Sequence, residues 1–261
     1  MRILITNDDG INAPGLKVLH DIASELAGDP GKVWTVAPAF EQSGVGHCIS
    51  YTRPMMVMKM DDQRFAAEGS PADCVLAGLH DVMAEEPPDL VLSGVNRGNN
   101  SAENTLYSGT IGGAMEAALQ GLPAIALSQY YGPDNRDLSN TFEAATEFGV
   151  ETVRRILAHS PAESHGYRLF YNVNFPPVPA AAVKGIRLAP QGLREGLGYS
   201  TEAHNSPSGR RFLWIKGGDQ RRPTAEGSDA NLNLAGYVSV TPMRADLTAH
   251  EMMDQLSGIN T

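Results

Sequence analysis

The sequence predicts an α/β protein built on a largely parallel, doubly wound sheet. Short apolar runs at Arg2–Thr6, Val33–Ala37, Leu90–Ser93 and Ala124–Ser128 read as buried strands. Helical patterns fall between them, near Pro14–Leu26, Ala72–Met83 and Ile111–Gln120. This alternation favours parallel strands joined by crossover helices. At 261 residues the chain is long enough for one such domain with a sizeable core.

Each element has its own signal. The first strand stops at once in Asn7-Asp8-Asp9-Gly10. Leu16, Leu19 and Ile22 recur at helical spacing and give the first helix an apolar stripe. Residues Ile49–Glu68 break the alternation and read as a hairpin, with Asp61-Asp62 near its turn. The run Met55-Met56-Val57-Met58 is expected to form the buried face of that hairpin. Asn140–His159 reads as a long helix, with Asn140 as N-cap and Glu143 at capping-box spacing. Leu169–Asn174 is a strand, stopped by Phe175-Pro176-Pro177. Residues 180–230, rich in Gly, Arg and Ser, predict an extended and partly antiparallel excursion. Gly236–Thr241 is a last strand, and Thr248-Ala249-His250-Glu251 fits a capping box before a short C-terminal helix.

Composition narrows the function classes. A formal net charge of -10 argues against a broad nucleic-acid surface or an anionic membrane as main partner, although a local site can hold a phosphate. Cys48 and Cys74 lack metal-ligand spacing and read as free thiols in a reducing compartment. No apolar run approaches the ~18 residues that span a bilayer. With no signal-peptide pattern either, the expected location is the cytoplasm.

Four loops carry candidate chemistry. They are Asn7–Gly10, Ala37–Gly46, Gly94–Asn100 and Tyr107–Gly113. The first three follow strands directly, and in a parallel sheet such ends share one edge. Adjacent carboxylates at Asp8 and Asp9 repel each other and are costly to desolvate, which a hard divalent cation would offset. Ser43 and Asn96 can add neutral oxygens, a set suited to Mg²⁺, Mn²⁺ or Ca²⁺. Ser108, Gly109 and Thr110 open a small-residue helix whose first N–H groups and two hydroxyls can cradle a phosphate. Cation and phosphate cradle together imply phosphoryl chemistry, with the cation polarising a phosphoryl oxygen and lowering the pKa of a bound water.

Taken singly, each feature has a plainer explanation: a turn at Asp8-Asp9-Gly10 and at Ser43, a helix cap at Ser108 or Thr110. Dinucleotide, P-loop and nucleophile-elbow motifs are absent from the sequence. The seven histidines show no ligand spacing, and His47 reads as solvated or structural. Tyr107 is expected to anchor packing, and Arg97 is the only cation of the third loop.

These residues resemble the SurE family of survival-protein nucleotidases over nearly the whole chain. The resemblance rests on Ile5–Gly10, Val36-Ala37-Pro38 with Ser43-Gly44, Gly69–Val75, Leu92–Gly98, Tyr107–Glu116, Gly121–Ala126 and Gly236–Pro242. It implies a metal-dependent phosphatase acting on nucleoside monophosphates, at the 5′ or 3′ position, with one divalent cation on Asp8, Asp9, Ser43 and Asn96. It implies a Rossmann-like fold with a protruding β-hairpin and a C-terminal segment exchanged in a homodimer or homotetramer. A single domain is then expected over residues 1–261, with a core at 1–130 and the hairpin and oligomerisation segment at about 180–261.

One stretch departs from the family pattern Asn-x-Gly-x-Asn-x-Gly-x-Asp. Ala102 and Asn104 stand where the family has glycine and aspartate. Asp8 and Asp9 are the expected catalytic groups; attack on phosphorus by an activated water or by an aspartate both remain open. Short oligonucleotides and polyphosphate are further candidate substrates. The alternatives are a receiver-like signalling module and a non-catalytic nucleotide-binding protein.

Overall fold

The computed structural model describes residues 1–161, 166–196 and 198–260. Of the predicted segments, Leu197 in the excursion and the terminal Thr261 lie outside the described residues. The chain builds a nine-stranded sheet in the order β3-β4-β2-β1-β5-β6-β7-β11-β8. Its centre comprises β1 (Ile3–Thr6), β2 (Val33–Pro38), β5 (Leu90–Arg97), β6 (Ala124–Gln129) and β7 (Phe170–Phe175), all parallel. The hairpin strands β3 (Val57–Lys59) and β4 (Arg64–Ala67) extend one edge. At the other edge β11 (Val238–Met243) runs antiparallel to β7 and carries β8 (Ile186–Leu188).

Side-chain alternation along β1 explains the double winding. Ile3 and Ile5 face one core with Leu16, Leu19 and Ile22 of α1 (Pro14–Ala27) and Val153 and Ile156 of α4 (Glu143–His159). Leu4 faces the other core with Cys74 and Val75 of α2 (Pro71–Ala77) and Ile111 and Ala114 of α3 (Gly109–Leu119). Both faces are covered, as a parallel sheet requires. β1 lies between β2 and β5, where successive crossovers leave in opposite directions, so the loops at this edge open onto a crevice.

Several local expectations change. The capping box at Asn140 does not form: Asn140 Oδ1 accepts from the Phe142 N–H at 3.0 Å, and helix α4 begins at Glu143. The Glu143 carboxylate accepts from the Ala180 N–H at 3.0 Å instead, a tertiary partner that sequence spacing cannot show. At the C-terminus Asp246, not Thr248, does the capping; it accepts from the Thr248 N–H and pairs with His250. Only short 3₁₀ turns follow, at His250–Met252 and Ser257–Ile259. The methionine run is two-faced, as an edge strand dictates. Met55 and Val57 pack on the core, whereas Met56 and Met58 are exposed. Helix α2 continues into a π-type turn at Gly78–Val82. A helix not anticipated, α5 (Asp229–Leu234), is too short to carry a periodic signal.

The excursion contains a separate antiparallel hairpin, β9 (Ser200–Asn205) with β10 (Arg211–Lys216), matching the protruding hairpin. Phe212, Leu213, Trp214 and Ile215 are all exposed on it. From Leu247 to Asn260 every residue is exposed. Among the described residues no helix is long and apolar enough to cross a membrane.

Candidate active site

All four predicted loops converge on the end of β1. Asn7 is buried and donates from Nδ2 to the Gly10 carbonyl at 2.9 Å, closing the turn that presents Asp8 and Asp9. The Gln42 N–H donates to the Asp8 carbonyl at 2.7 Å and lays the second loop alongside. The Arg97 N–H donates to Asp9 Oδ2 at 3.0 Å and brings up the third. Thr110 Oγ1 donates to Asp8 Oδ1 at 2.6 Å and seats the start of α3 on the acidic pair. Gly109 makes that seat close: a Cβ there would lie 2.9 Å from Asp8 Cβ and 3.1 Å from Asp8 Oδ2.

Asn96 reaches this edge through a bulge. It lies inside β5 rather than in a loop after it, and the register with β6 slips between Ser93 and Asn96. Gly94 occupies the slip at φ +134, where a Cβ would lie 2.2 Å from the Leu127 carbonyl. Asn96 Nδ2 donates to the Gly98 carbonyl at 3.0 Å, which leaves Oδ1 as its neutral acceptor. Ser43 is exposed and donates from Oγ to Glu41 Oε1 at 2.8 Å. Ser108 Oγ accepts from the Ile111 N–H at 3.1 Å, so this hydroxyl is a helix cap.

The electrostatics fit a cation. Asp8 is 4% exposed, and its pKa is pushed up to about 6, chiefly by burial; the Thr110 hydroxyl opposes the rise and the charge of Asp9 adds to it. Burial also raises Asp9, against the Arg97 N–H and guanidinium, while Glu41 adds to the rise. Among the described residues no three His, Cys, Asp or Glu side chains surround a common point. Asn7 Oδ1, buried next to the pair, has no hydrogen-bond partner. Two under-compensated carboxylates with neutral amide and hydroxyl oxygens suit a hard divalent ion, not an imidazole or thiolate site.

Of the residues that support the site, His47 takes the structural one of its two expected roles, and the others carry no sequence signal. His47 Nε2 lies 2.6 Å from Glu116 Oε2, which holds the Glu116 pKa down; the Gly46 N–H donates to the Tyr107 carbonyl at 3.0 Å. Together they pin the second loop to α3. Tyr107 packs at the surface rather than in the core: it is exposed and meets Tyr199 edge-on with ring centroids 4.8 Å apart. Behind the third loop, Arg194 is 2% exposed and donates to Glu103, Ser101 and Asn99. An arginine about 90 residues downstream gives no sequence signal for this contact. Ala102 has φ 54, the left-handed conformation that glycine takes without strain, and its N–H donates to Asp229. Asn104 donates to Gln220 Oε1 at 2.6 Å, so both departures from the family pattern shape the loop behind Asn96.

Fold and site together define a class: a Rossmann-like α/β protein with an acidic pair at the end of β1, beside a helix start at its switch point. The family model described as "Survival protein SurE" matches residues 3–196. The chain belongs to the SurE family. It is 81% identical to the 5'-nucleotidase SurE of Roseobacter denitrificans over 261 residues, covering all of both chains. Identity with the 5'-nucleotidase SurE of Ruegeria pomeroyi is 72% over 256 residues, 98% of each. The crystal structure of the SurE protein from Aquifex aeolicus superposes over the whole of both chains with a TM-score of 0.82 at 35% identity. Membership implies a divalent metal cofactor.

Proposed function

We propose that the protein is a divalent-cation-dependent phosphatase that converts nucleoside monophosphates to nucleoside and phosphate. The observation that carries this is the 2.6 Å hydrogen bond from Thr110 to Asp8, which joins a helix start able to bind an anion to carboxylates able to hold a cation. The 5'-nucleotidase names of its relatives support the substrate class and the 5′ position. Asp8, Asp9, Ser43 and Asn96 hold one ion, Mg²⁺, Mn²⁺ or Ca²⁺. That ion, when bound, supplies charge that polarises a phosphoryl oxygen and lowers the pKa of water.

The chain's own groups do the rest. Ser108, Gly109 and Thr110 receive the phosphate at the positive end of α3, where first-turn N–H groups lack intrahelical partners. The Thr110 hydroxyl opposes the rise that burial imposes on the Asp8 pKa, and the Arg97 N–H does the same for Asp9. Short oligonucleotides and polyphosphate are further substrates compatible with an open edge.

The chain forms one domain over residues 1–261: a core at 1–130, then the hairpin and oligomerisation segment at about 180–261. The exposed apolar side chains of β10 and the exposed tail support a homodimer or homotetramer. Free Cys48 and Cys74 support a reducing compartment, the cytoplasm. The test is phosphate release from 5′- and 3′-nucleoside monophosphates after chelation and again with each ion restored. Release only with a cation is expected. No release with any ion, from folded protein that still binds nucleotide, overturns the proposal.

A further inference from the structure

A cavity of about 420 Å³ opens beside Asp9, between the start of α1, Glu41, Arg97, Tyr131 and the segment Ser139–Phe142. We propose that it is the subsite for the nucleoside part of the substrate, with Tyr131 as the platform for the base. The proposal rests on the phosphatase function above and says where the leaving group of that reaction sits.

Five observations carry it. The cavity shares Asp9 with the acidic pair, so a phosphate at the pair and a nucleoside in the cavity are contiguous. Its volume lies in the range of small-molecule sites, about 300–1,000 Å³. Tyr131 follows β6 on the crevice edge and is 46% exposed, an aromatic face that core packing leaves free. The turn after it is rigid: Asn135, 1% exposed, accepts from the Gly132 N–H at 2.8 Å and donates to the Tyr130 carbonyl at 2.7 Å. Polar groups for a ribose are also at hand. Glu41 uses Oε1 for Ser43 and keeps Oε2, and Ser139 adds an exposed hydroxyl.

A larger cavity of about 1010 Å³ is the alternative place. It meets the candidate site residues only at Ser108, and its wall is mixed, with Leu106, Met115 and Leu188 beside Tyr167, Arg244 and Asp246. What separates the two is the acidic pair: the smaller cavity reaches Asp9, whereas neither Asp8 nor Asp9 lines the larger one.

The experiment compares adenosine 5′-monophosphate with glycerol phosphate, which has no base, in the wild type, Tyr131→Phe, Tyr131→Ala and Ser139→Trp. Tyr131→Ala is expected to raise KM for the nucleotide about tenfold, the order of one lost base–aromatic contact, and to leave kcat within about twofold. Glycerol phosphate hydrolysis should stay unchanged, and Tyr131→Phe should behave as wild type. Ser139→Trp fills the cavity from an exposed position and should weaken the nucleotide alone. Calorimetry of adenosine binding to the full chain in chelator gives a readout independent of turnover, and binding should weaken in the Ala and Trp variants. Unchanged adenosine binding in both variants, or a parallel loss on both substrates, overturns the subsite. If the wild type hydrolyses neither substrate, the phosphatase function fails, and the adenosine titrations still decide the subsite.

Discussion

Asp8→Asn should stabilise the metal-free protein while abolishing its activity. Asp8 is 4% exposed, with Asp9 beside it, and its pKa rises from 3.8 to about 6 with burial as the main cause. A carboxyl whose pKa is raised on folding favours the protonated folded state. Its penalty is therefore absent below pH 3.8, grows as pH climbs to about 6, and is constant above that. At roughly 1.36 kcal/mol per pH unit, the span between those values amounts to about 3 kcal/mol. Asparagine is nearly isosteric, still accepts the Thr110 hydroxyl, and removes the charge. The assay is urea unfolding of both proteins in chelator from pH 4 to pH 8. The two should be equally stable near pH 4, and the variant should gain up to about 3 kcal/mol by pH 7. Adding a divalent cation should close the gap by stabilising the wild type alone. A variant that is less stable than wild type at pH 7 in chelator would refute the claim that burial and like charge strain this carboxylate.

Three further outcomes follow from the same geometry. Thr110→Val removes the O–H that favours ionised Asp8, so the acid limb of the pH–rate profile should move to higher pH, with a larger loss at pH 6 than at pH 8. Gly109→Ala drives a methyl to 2.9 Å from Asp8 Cβ and must displace that side chain; kcat/KM should fall about a hundredfold while the circular dichroism spectrum stays native. Arg194→Met removes the guanidinium that pairs with Glu103 and bonds Ser101 and Asn99, and should cost about 3–5 kcal/mol in denaturant unfolding, because a buried ion pair is broken from one side.

The local signals were strong where one element could satisfy itself. Leu16, Leu19 and Ile22 show the buried face of α1 because helical period and burial coincide. The strand cores match to within two residues except in β5, which runs on to Arg97. The capping boxes read at Asn140 and Thr248 failed for a physical reason. A side chain three residues away competes with any partner the fold supplies, and Ala180 and Asp246 supplied better ones.

By itself the sequence determined the alternation of strands and helices, the acidic pair at the end of β1, and the motifs that place the chain in its family. Period, chain order and residue type are local quantities, so they can be read from the chain. Only the tertiary structure decided that Thr110 reaches Asp8 across 102 residues, that a bulge carries Asn96 to the same edge, and that Arg194 braces the loop behind it. It also decided that Tyr131 and Glu41 share a cavity with Asp9. Those contacts join segments far apart in the chain. They depend on strand order, register and the depth at which each charge is buried, none of which residue spacing encodes.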